Sequence, residues 1–251
     1  MTTLAHLTPD WSAPRAVRAA FTLRAGGVSA PPFDTLNSAL HVGDRPEDVV
    51  ENRGRIQRAL ALPSEPVWLE QVHGSRVLDL DEAAPSTRAD AALTRRPGRV
   101  CVIQVADCLP VLLAARDASA AAVAHCGWRG LAGGILEATV RALDVAPREL
   151  CAWLGPAIGP DAFEVGEEVR AAFLAHDAGA AQAFTANPRG RWQCDLFALA
   201  RQRLAGLGIC AVAGGGLCTY ADPTRFFSYR RDGQTGRMAA LIWLDGAAKR
   251  P

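Results

Sequence analysis

The stretch VCVIQVADCLPVLLAARDASAAAVAHCGWRG, residues 100–130, decides the fold of this chain. It contains three apolar runs of strand length: Val100–Val105, Val111–Ala115 and Ala121–His125. The first run leads into a segment that contains Cys108, and the third ends in a histidine. Functional sites usually lie where a rigid scaffold presents reactive side chains at the ends of its strands. The sequence therefore predicts a β-sheet with a site at these strand ends.

Apolar periodicity outside this stretch predicts both strands and helices. Further strands are predicted at Val17–Leu23, within Val67–Leu80 with a break near His73-Gly74, and at Cys151–Leu154, Ile209–Ala213, Phe226–Tyr229 and Met238–Leu244. Helices are predicted at Pro46–Leu60, Leu131–Leu143, Glu167–His176 and Asp195–Leu207. Because these elements do not alternate as regular βαβ units, we expect an α+β fold, a single domain (residues 1–251) of packed mixed β-sheets flanked by helices.

Composition and charge exclude several classes of partner. The chain has 251 residues and a formal net charge of +1, so no bulk electrostatic attraction to nucleic acid is expected. No apolar run reaches the roughly 18 residues of a membrane span, and the first residues show no signal-peptide pattern. The seven cysteines include no CxxC pair, which argues against a disulfide framework. We therefore expect a cytoplasmic protein that acts on small molecules.

Arginine carries almost all of the positive charge, since Lys249 is the only lysine among 27 basic residues. An anion site in this chain must therefore use guanidinium groups, which bind phosphate or carboxylate through two parallel hydrogen bonds. Arg129 lies at the predicted start of a helix, where free N–H groups and the helix dipole also favour an anion. Arg129 is thus the strongest candidate for a phosphate ligand.

Three side chains suit a metal ion. His73 lies in the turn-like segment QVHG, Cys108 follows the first apolar run, and His125 ends the third. A thiolate with two imidazoles suits zinc and leaves a fourth position open for water or substrate, and copper is the alternative metal. Their spacing matches no short metal motif, so a hydrogen-bonded turn histidine and a buried core thiol remain open interpretations.

Ordered motifs occur along most of the chain. They are RAGGVS (24–29), LN (36–37), VGD (42–44), ENR (51–53), QVHG (71–74), ADCLP (106–110), HCGWRG (125–130), GPAIG (155–159), CT (218–219), FSYRR (227–231) and TGR (235–237). In these motifs the chain resembles the YfiH-like family, whose members are variously called multicopper polyphenol oxidase, purine nucleoside phosphorylase and peptidoglycan editing factor. The resemblance covers roughly residues 11–244. Position 126, commonly alanine in this family, is Cys126 here.

The resemblance implies a monomeric enzyme with a purine nucleoside pocket beside a metal, usually zinc, whose ligands are His73, Cys108 and His125. It also implies phosphorolysis of adenosine, inosine and methylthioadenosine, together with deamination of adenosine. The predicted catalytic residues are Asp107, Cys108 and Arg129, with Asp107 as first candidate for the proton transfer that deamination needs. The residues predicted to bind substrate or phosphate are Arg24, Asn37, Arg53, Gln71, Arg129 and Tyr229.

Three other functions remain open. The first is a peptidoglycan-editing amidase that removes L-Ser from a UDP-MurNAc-linked precursor, using a metal or else Cys108 as nucleophile and His125 as base. The second is laccase-like polyphenol oxidation with several coppers, which needs many histidines. The chain has five, and three of them lie in no ligand-like setting: His6, His41 and His176. The third is a structural zinc site with Cys126 as the fourth ligand.

Overall fold

The computed structural model describes residues 4–82 and 86–246, so Lys249 lies outside the described residues. The strands in the described part are β1 (His6–Leu7), β2 (Val17–Thr22), β3 (Val67–Trp68), β4 (Val77–Asp79), β5 (Ala91–Thr94), β6 (Val100–Val105), β7 (Leu109–Ala115), β8 (Ala121–Cys126), β9 (Leu150–Leu154), β10 (Glu164–Val165), β11 (Phe184–Ala186), β12 (Trp192–Cys194), β13 (Ala211–Gly214) and β14 (Met238–Leu244). The α-helices are α1 (Pro46–Ala59), α2 (Trp128–Ala132), α3 (Ile135–Leu143), α4 (Glu167–Leu174), α5 (Leu196–Gly206) and α6 (Tyr229–Asp232).

Two of the longer helices begin at residues whose chemistry favours a helix start. Pro46 occupies the first turn of α1, where its fixed φ and missing N–H carry no penalty. Asp195 caps α5, and its carboxylate accepts a hydrogen bond from the Ala198 amide at 3.0 Å. Both starts are confirmed as the sequence predicts them.

The strands form two large sheets and one small sheet. The five-stranded sheet has the order β1-β2-β14-β6-β3, and the six-stranded sheet has the order β13-β9-β7-β8-β5-β4. A small sheet, β10-β12-β11, lies beside them. Most neighbours are antiparallel, but β3–β6, β4–β5 and β9–β13 are parallel. The predicted fold class, α+β with packed mixed β-sheets flanked by helices, is confirmed.

The two large sheets pack face to face, and helices cover their outer faces. Along β6, Cys101 and Ile103 belong to the core between the sheets, whereas Val100 and Val102 pack on the other face with Ile56 of α1. Along β7 and β8 the outer face packs against α3, α4 and α5. Every residue of β6, β7 and β8 is buried. Burial on both faces explains why these strands are continuous apolar runs rather than alternating ones.

This arrangement brings Cys108 and His125, the chemically active residues of segment 100–130, to one end of the β7–β8 pair. The chain leaves the five-stranded sheet after β6 and enters the six-stranded sheet at β7, so Cys108 lies at the crossing between sheets. Strand β8 runs antiparallel to β7 and pairs His125 with Pro110. Cys108 and His125 are therefore neighbours at the same end of the β7–β8 pair.

Two predicted elements are wrong. Phe226–Tyr229 is not a strand: Phe226 and Phe227 are fully buried in the core between the sheets, and α6 begins at Tyr229. The aromatic run is apolar because its rings fill the core, not because it pairs with a neighbouring strand. The predicted helix Leu131–Leu143 is two helices, α2 and α3, separated at Gly134, whose φ of 86° lies in the left-handed region.

Within residues 4–82 and 86–246, no helix is long and apolar enough to cross a membrane.

Candidate metal centre and substrate cavity

His73, Cys108 and His125 lie together in the structure. One potential ligand atom from each residue lies within 4.8 Å of those of the other two. The Cys108 Sγ is 3.7 Å from the Nε2 of His73, and the two imidazole rings meet edge to face with centroids 4.7 Å apart. His125 is buried, Cys108 is half-buried and His73 is exposed, so the cluster is reached from one side.

The Asp90 carboxylate determines how two of these side chains are presented. It is completely buried at the start of β5, and its Oδ1 accepts a hydrogen bond from the Nδ1 of His125 at 2.9 Å. The same carboxylate accepts hydrogen bonds from the amides of His73 at 2.8 Å and Gly74 at 2.7 Å, and from that of Val72 at 3.2 Å. These bonds hold the turn in which His73 adopts a φ of 60°. Because Nδ1 is bonded to Asp90, Nε2 is the nitrogen of His125 that faces Cys108.

Sequence reasoning missed Asp90, because only the folded chain brings it to His125. One signal could have found it: Asp90 is the single charged residue within the apolar segment 89–93. Charged side chains are rarely fully buried unless they are paired.

The cluster perturbs the protonation of its own members. Burial would raise the pKa of the Cys108 thiol, but the charge and hydrogen bond of His125 and the hydrogen bond of His73 outweigh burial and lower that pKa to about 6. Burial likewise opposes the charged form of His125, but the Cys108 thiolate and Asp90 raise its pKa to about 9. In the protein without metal, both shifts favour a Cys108 thiolate beside a His125 imidazolium.

The donor set and its surroundings fit a metal ion of zinc type. Tetrahedral zinc with one sulfur and two nitrogen ligands separates the ligand atoms by roughly 3.3–3.7 Å. The distance from the Cys108 Sγ to the His73 Nε2, 3.7 Å, lies at the upper end of this range, and all three atoms lie within 4.8 Å of one another. A Cβ atom added at Gly127 would lie 2.9 Å from the Cys108 Sγ and 2.9 Å from the His73 ring. Gly127 therefore leaves the free space that two ligand side chains require. The Asp90–His125 pair is the partner that metal-bound histidines usually have.

Cys126 does not belong to the cluster. It is fully buried in the core between the six-stranded sheet and the helices, on the opposite face of β8 from the adjacent His125. Among the described residues, the only group of histidine, cysteine and carboxylate side chains close enough to hold a metal is His73, Cys108 and His125. The position of Cys126 therefore does not match the fourth ligand of a closed structural site.

The cluster lies in the wall of a cavity of about 600 Å³. Two kinds of side chain suited to a nucleoside and an anion line this cavity: the aromatic residues Trp128, Phe163 and Tyr229, and the basic residues Arg129, Arg230 and Arg237. His41, Gln71 and Gln104 contribute further polar groups. A site with aromatic faces, guanidinium groups and a metal cluster can bind a flat heterocycle and a phosphate side by side.

Of the residues predicted to bind substrate, Arg129, Gln71 and Tyr229 line the cavity. Arg129 is exposed and its guanidinium lies 4.4 Å from the ring centre of Trp128, at the start of the short helix α2. Arg230 and Arg237 also line the cavity, and both lie within the motifs FSYRR and TGR, for which the sequence predicts no role of these two arginines.

The other three predicted substrate residues lie outside the cavity lining, and their polar groups are engaged elsewhere. Arg24 donates to the main-chain oxygens of Asp34 and Pro223 and pairs with the Asp34 carboxylate. Asn37 is fully buried and makes hydrogen bonds within residues 37–44 and to the Arg237 amide. Arg53 stacks on Trp68 and donates to the main-chain oxygen of Ser38 at 2.9 Å.

Asp107 lines the cavity, but its carboxylate is already bonded. Its two oxygens accept hydrogen bonds from the hydroxyl of Thr219 and the amide of Arg230, both at 2.6 Å. These contacts tie the sheet crossing to the segment that carries Arg230 and Tyr229. The geometry therefore gives Asp107 a role in holding the cavity wall, and the proton transfer assigned to it stays a prediction.

Comparisons with known proteins cover nearly the whole chain. A family model described as multi-copper polyphenol oxidoreductase laccase matches residues 18–245. The purine nucleoside phosphorylase YfiH of Escherichia coli (strain K12) is 53% identical over 239 residues, which cover 95% of this chain and 98% of that protein. A Pseudomonas aeruginosa protein, also named purine nucleoside phosphorylase, is 54% identical over 242 residues, covering 96% and 98%.

A solved structure shows the same fold. The crystal structure of a Neisseria meningitidis protein is similar with a TM-score of 0.92 and 48% sequence identity, and the match covers 96% of this chain and 99% of that chain.

Proposed function

Since the chain belongs to the family described as multi-copper polyphenol oxidoreductase laccase, and relatives within it are named purine nucleoside phosphorylases, we propose that it is a metal-dependent purine nucleoside phosphorylase. The proposed substrates are adenosine, inosine and methylthioadenosine, with deamination of adenosine as a second activity. Zinc is the proposed metal and copper its alternative. The observation that carries the proposal is that one cavity joins the His73–Cys108–His125 cluster to three arginines and three aromatic side chains.

The cavity side chains can supply what phosphorolysis requires. A phosphate oxygen must form a bond to C1′ of the ribose while the C1′–N9 bond breaks and its electron pair leaves with the purine. Arg129 and Arg237 can bind the phosphate and hold it near the ribose, since both residues line the cavity. Trp128 and Phe163 can stack on the purine. Positioning of this kind can contribute up to roughly 7–11 kcal/mol to the lowering of a reaction barrier.

His73, Cys108 and His125 would hold the metal, and Asp90 would keep His125 in the tautomer that a ligand needs. When bound, zinc supplies Lewis-acid chemistry and activates water, which suits the deamination activity. Arg237 adds positive charge beside the Cys108 thiolate and favours the deprotonated thiol.

The test is a product assay on adenosine with and without phosphate, resolved by chromatography. Adenine formed only in the presence of phosphate supports phosphorolysis, and inosine formed in either condition supports deamination. Cys108→Ala should abolish both activities, whereas the matched variant Cys126→Ala, which changes a buried thiol outside the cluster, should keep them. If metal-loaded protein yields neither product, the proposal is wrong.

The geometry also favours a second candidate, the peptidoglycan-editing amidase. Asp90, His125 and Cys108 form the series carboxylate, imidazole and thiol, with His125 bonded to Asp90 at 2.9 Å and the thiol pKa lowered to about 6. The same series activates the nucleophile in Cys–His hydrolases. Metal-free protein that releases L-Ser from a UDP-MurNAc-linked precursor, but does not act on adenosine, would support this candidate over the phosphorylase.

The family description also suggests laccase-like oxidation of phenols. A multicopper oxidase needs ligands for several coppers, whereas the described residues offer one three-ligand cluster. His41 lines the cavity but does not belong to that cluster. We expect about one metal ion per chain and no sustained phenol turnover. A copper content of several ions per chain together with steady phenol oxidation would favour the laccase function instead.

A further inference from the structure

Gln104 borders the cavity and has no part in the chemistry proposed above. It lies near the end of β6, the residue is 5% exposed, and it lines the cavity together with Gln71. Its side-chain nitrogen Nε2 donates hydrogen bonds to the main-chain oxygen of Ser38 at 2.6 Å and to the Ser38 hydroxyl at 3.1 Å. Both hydrogens of the amide are therefore used.

The network around Ser38 fixes which way this amide points. The main-chain oxygen of Ser38 can only accept, so a flipped amide would place two carbonyl oxygens against each other. The Ser38 hydroxyl donates its own hydrogen to the main-chain oxygen of Arg237 at 2.9 Å and can therefore only accept from Gln104. The amide of Gln104 is thus held in one orientation, in which its carbonyl oxygen Oε1 has no partner in this network.

In the part of the chain that the structure describes, the hydrogen bonds of the Gln104 side chain are those of Nε2, and no protein group donates to this Oε1. The neighbouring acceptors differ in this respect. The carboxylate of Asp107 already accepts two hydrogen bonds, and the Gln71 amide pairs through both its ends with the main chain of Gln104 at 2.7 and 2.9 Å. Oε1 is not among the fully buried polar atoms without a partner, so it is accessible, and Gln104 lines the cavity. Gln104 therefore presents a fixed acceptor that a donor on a bound ligand can satisfy.

We propose that the Oε1 of Gln104 accepts a hydrogen bond from the 6-amino group of a bound purine and so selects 6-aminopurine over 6-oxopurine nucleosides. This inference rests on the proposed function. Ribose hydroxyls can rotate to donate or accept, so a fixed acceptor that contacts the ribose would not distinguish one nucleoside from another. An amino group at C6 only donates and an oxo group at C6 only accepts, so the same carbonyl attracts adenosine and repels inosine.

The test compares the binding of adenosine and inosine to the metal-loaded full chain by calorimetry without phosphate. Chromatography checks that adenosine is not converted to another compound during the titration. Gln104→Met has nearly the same volume and lacks the acceptor. It leaves the main-chain oxygen of Ser38 bonded to Arg53. We expect this variant to bind adenosine about three- to tenfold more weakly, while inosine binding stays the same or improves. The matched variant Gln57→Met, on α1 and outside the cavity lining, should change neither affinity.

A second variant tests the inference independently in case Gln104→Met does not fold. Ser38→Ala keeps Oε1 but removes one of the two groups that fix its direction, so the preference for adenosine should narrow without disappearing. The readout is the ratio of the two affinities, because a merely structural role would weaken both nucleosides equally. Equal losses, or a wild-type protein without preference for adenosine, would overturn the Gln104 inference and leave the phosphorylase proposal standing. Failure of the wild-type protein to bind or convert either nucleoside would overturn both.

Discussion

Among single residues, Asp90 has the widest influence on the site. Its buried carboxylate bonds the His125 ring and three consecutive amides of the His73 turn. Burial of this carboxyl opposes its charged form, but the His125 contact and the amide hydrogen bonds keep its pKa below the usual range. The Asp90 side chain thus determines both the tautomer of His125 and the backbone conformation at His73.

Asp90→Asn should weaken metal binding by about 10- to 100-fold, the usual cost of losing the partner of a metal-bound histidine. The neutral amide no longer favours the tautomer with a proton on Nδ1 of His125, and it cannot accept at every position where the carboxylate does. Competition with a chromophoric chelator measures the affinity. Asp195→Asn is the matched control, because asparagine caps α5 as well as aspartate does. Equal affinities for the two variants would contradict the positioning role of Asp90.

The thiol of Cys108 gives a prediction that depends on pH. In the metal-free protein, its pKa of about 6 lies below the ordinary value of 9.0, so the thiolate predominates above pH 6 and is lost as the pH falls through 6. Alkylation by iodoacetamide, measured by mass spectrometry, should therefore rise with a midpoint near pH 6. The Cys108→Ser variant reports the background from the other thiols, including the exposed Cys210. A midpoint near 9 would show that His125 does not stabilise the thiolate.

The three proposed ligands could be predicted from the sequence, whereas the residues that support them could not. His73, Cys108 and His125 lie in recognisable motifs at predicted strand ends or turns. Asp90 and Gln104 act through hydrogen bonds that close over long sequence separations, to His125 and to Ser38. Local periodicity carries no information about such contacts, so only the folded chain reveals them.

At the scale of elements, segment 100–130 forms the three strands that its sequence predicts. The strands β6, β7 and β8 are buried along their whole length, and burial between two further layers is the physical reason why they are almost entirely apolar. The same signal misleads at Phe226–Phe227, where an apolar pair fills the core from a loop. Short apolar runs do not reveal whether they pair with a strand, because burial and pairing leave the same pattern.

The sequence pattern also does not predict the break between α2 and α3, which contributes to the site. Helix α2 carries Trp128 and Arg129 to the cavity, while α3 packs its apolar face on the six-stranded sheet. The helix is interrupted between α2 and α3 because Gly134 has a φ of 86°, which residues with a Cβ rarely adopt. The regular spacing of Leu131, Ile135 and Leu143 predicts one continuous helix and gives no sign of this break.

Gly134→Ala should therefore lower the free energy of unfolding by about 1–2 kcal/mol, since the new Cβ has room but the left-handed backbone disfavours it. Its nearest neighbour would be the Glu137 carboxylate at 3.5 Å, an ordinary contact. Gly206→Ala in α5 is the matched control: nothing lies within 4 Å of its Cβ, and we expect a gain of about 0.4–1 kcal/mol. Urea titration followed by circular dichroism measures both values. Equal stability of the two variants would contradict the role of the left-handed glycine.

At the scale of the whole molecule, the proposed metal ligands come from separate parts of the structure. His73 follows β3 of the five-stranded sheet, Cys108 lies where the chain crosses between the sheets, and His125 lies one residue before the end of β8 of the six-stranded sheet. An ion bound by all three would therefore connect the two sheets as well as complete the cavity. Removal of the ion should consequently affect the stability of the whole fold rather than that of one loop.

This connection predicts a metal-dependent melting temperature. An ion that binds only the folded state, at a free concentration about 100 times its Kd, stabilises that state by about 2.7 kcal/mol. For a chain of this size each kcal/mol corresponds to about 2–4 °C, so zinc should raise the melting temperature of metal-free protein by about 5–10 °C. Calorimetry of chelator-treated and zinc-loaded protein measures the shift. Cys126→Ala should retain it because that thiol lies outside the cluster, and Cys108→Ala should lose it. A shift that survives in Cys108→Ala would mean that the stabilising ion binds elsewhere, because a cluster without its thiolate keeps only the two imidazoles.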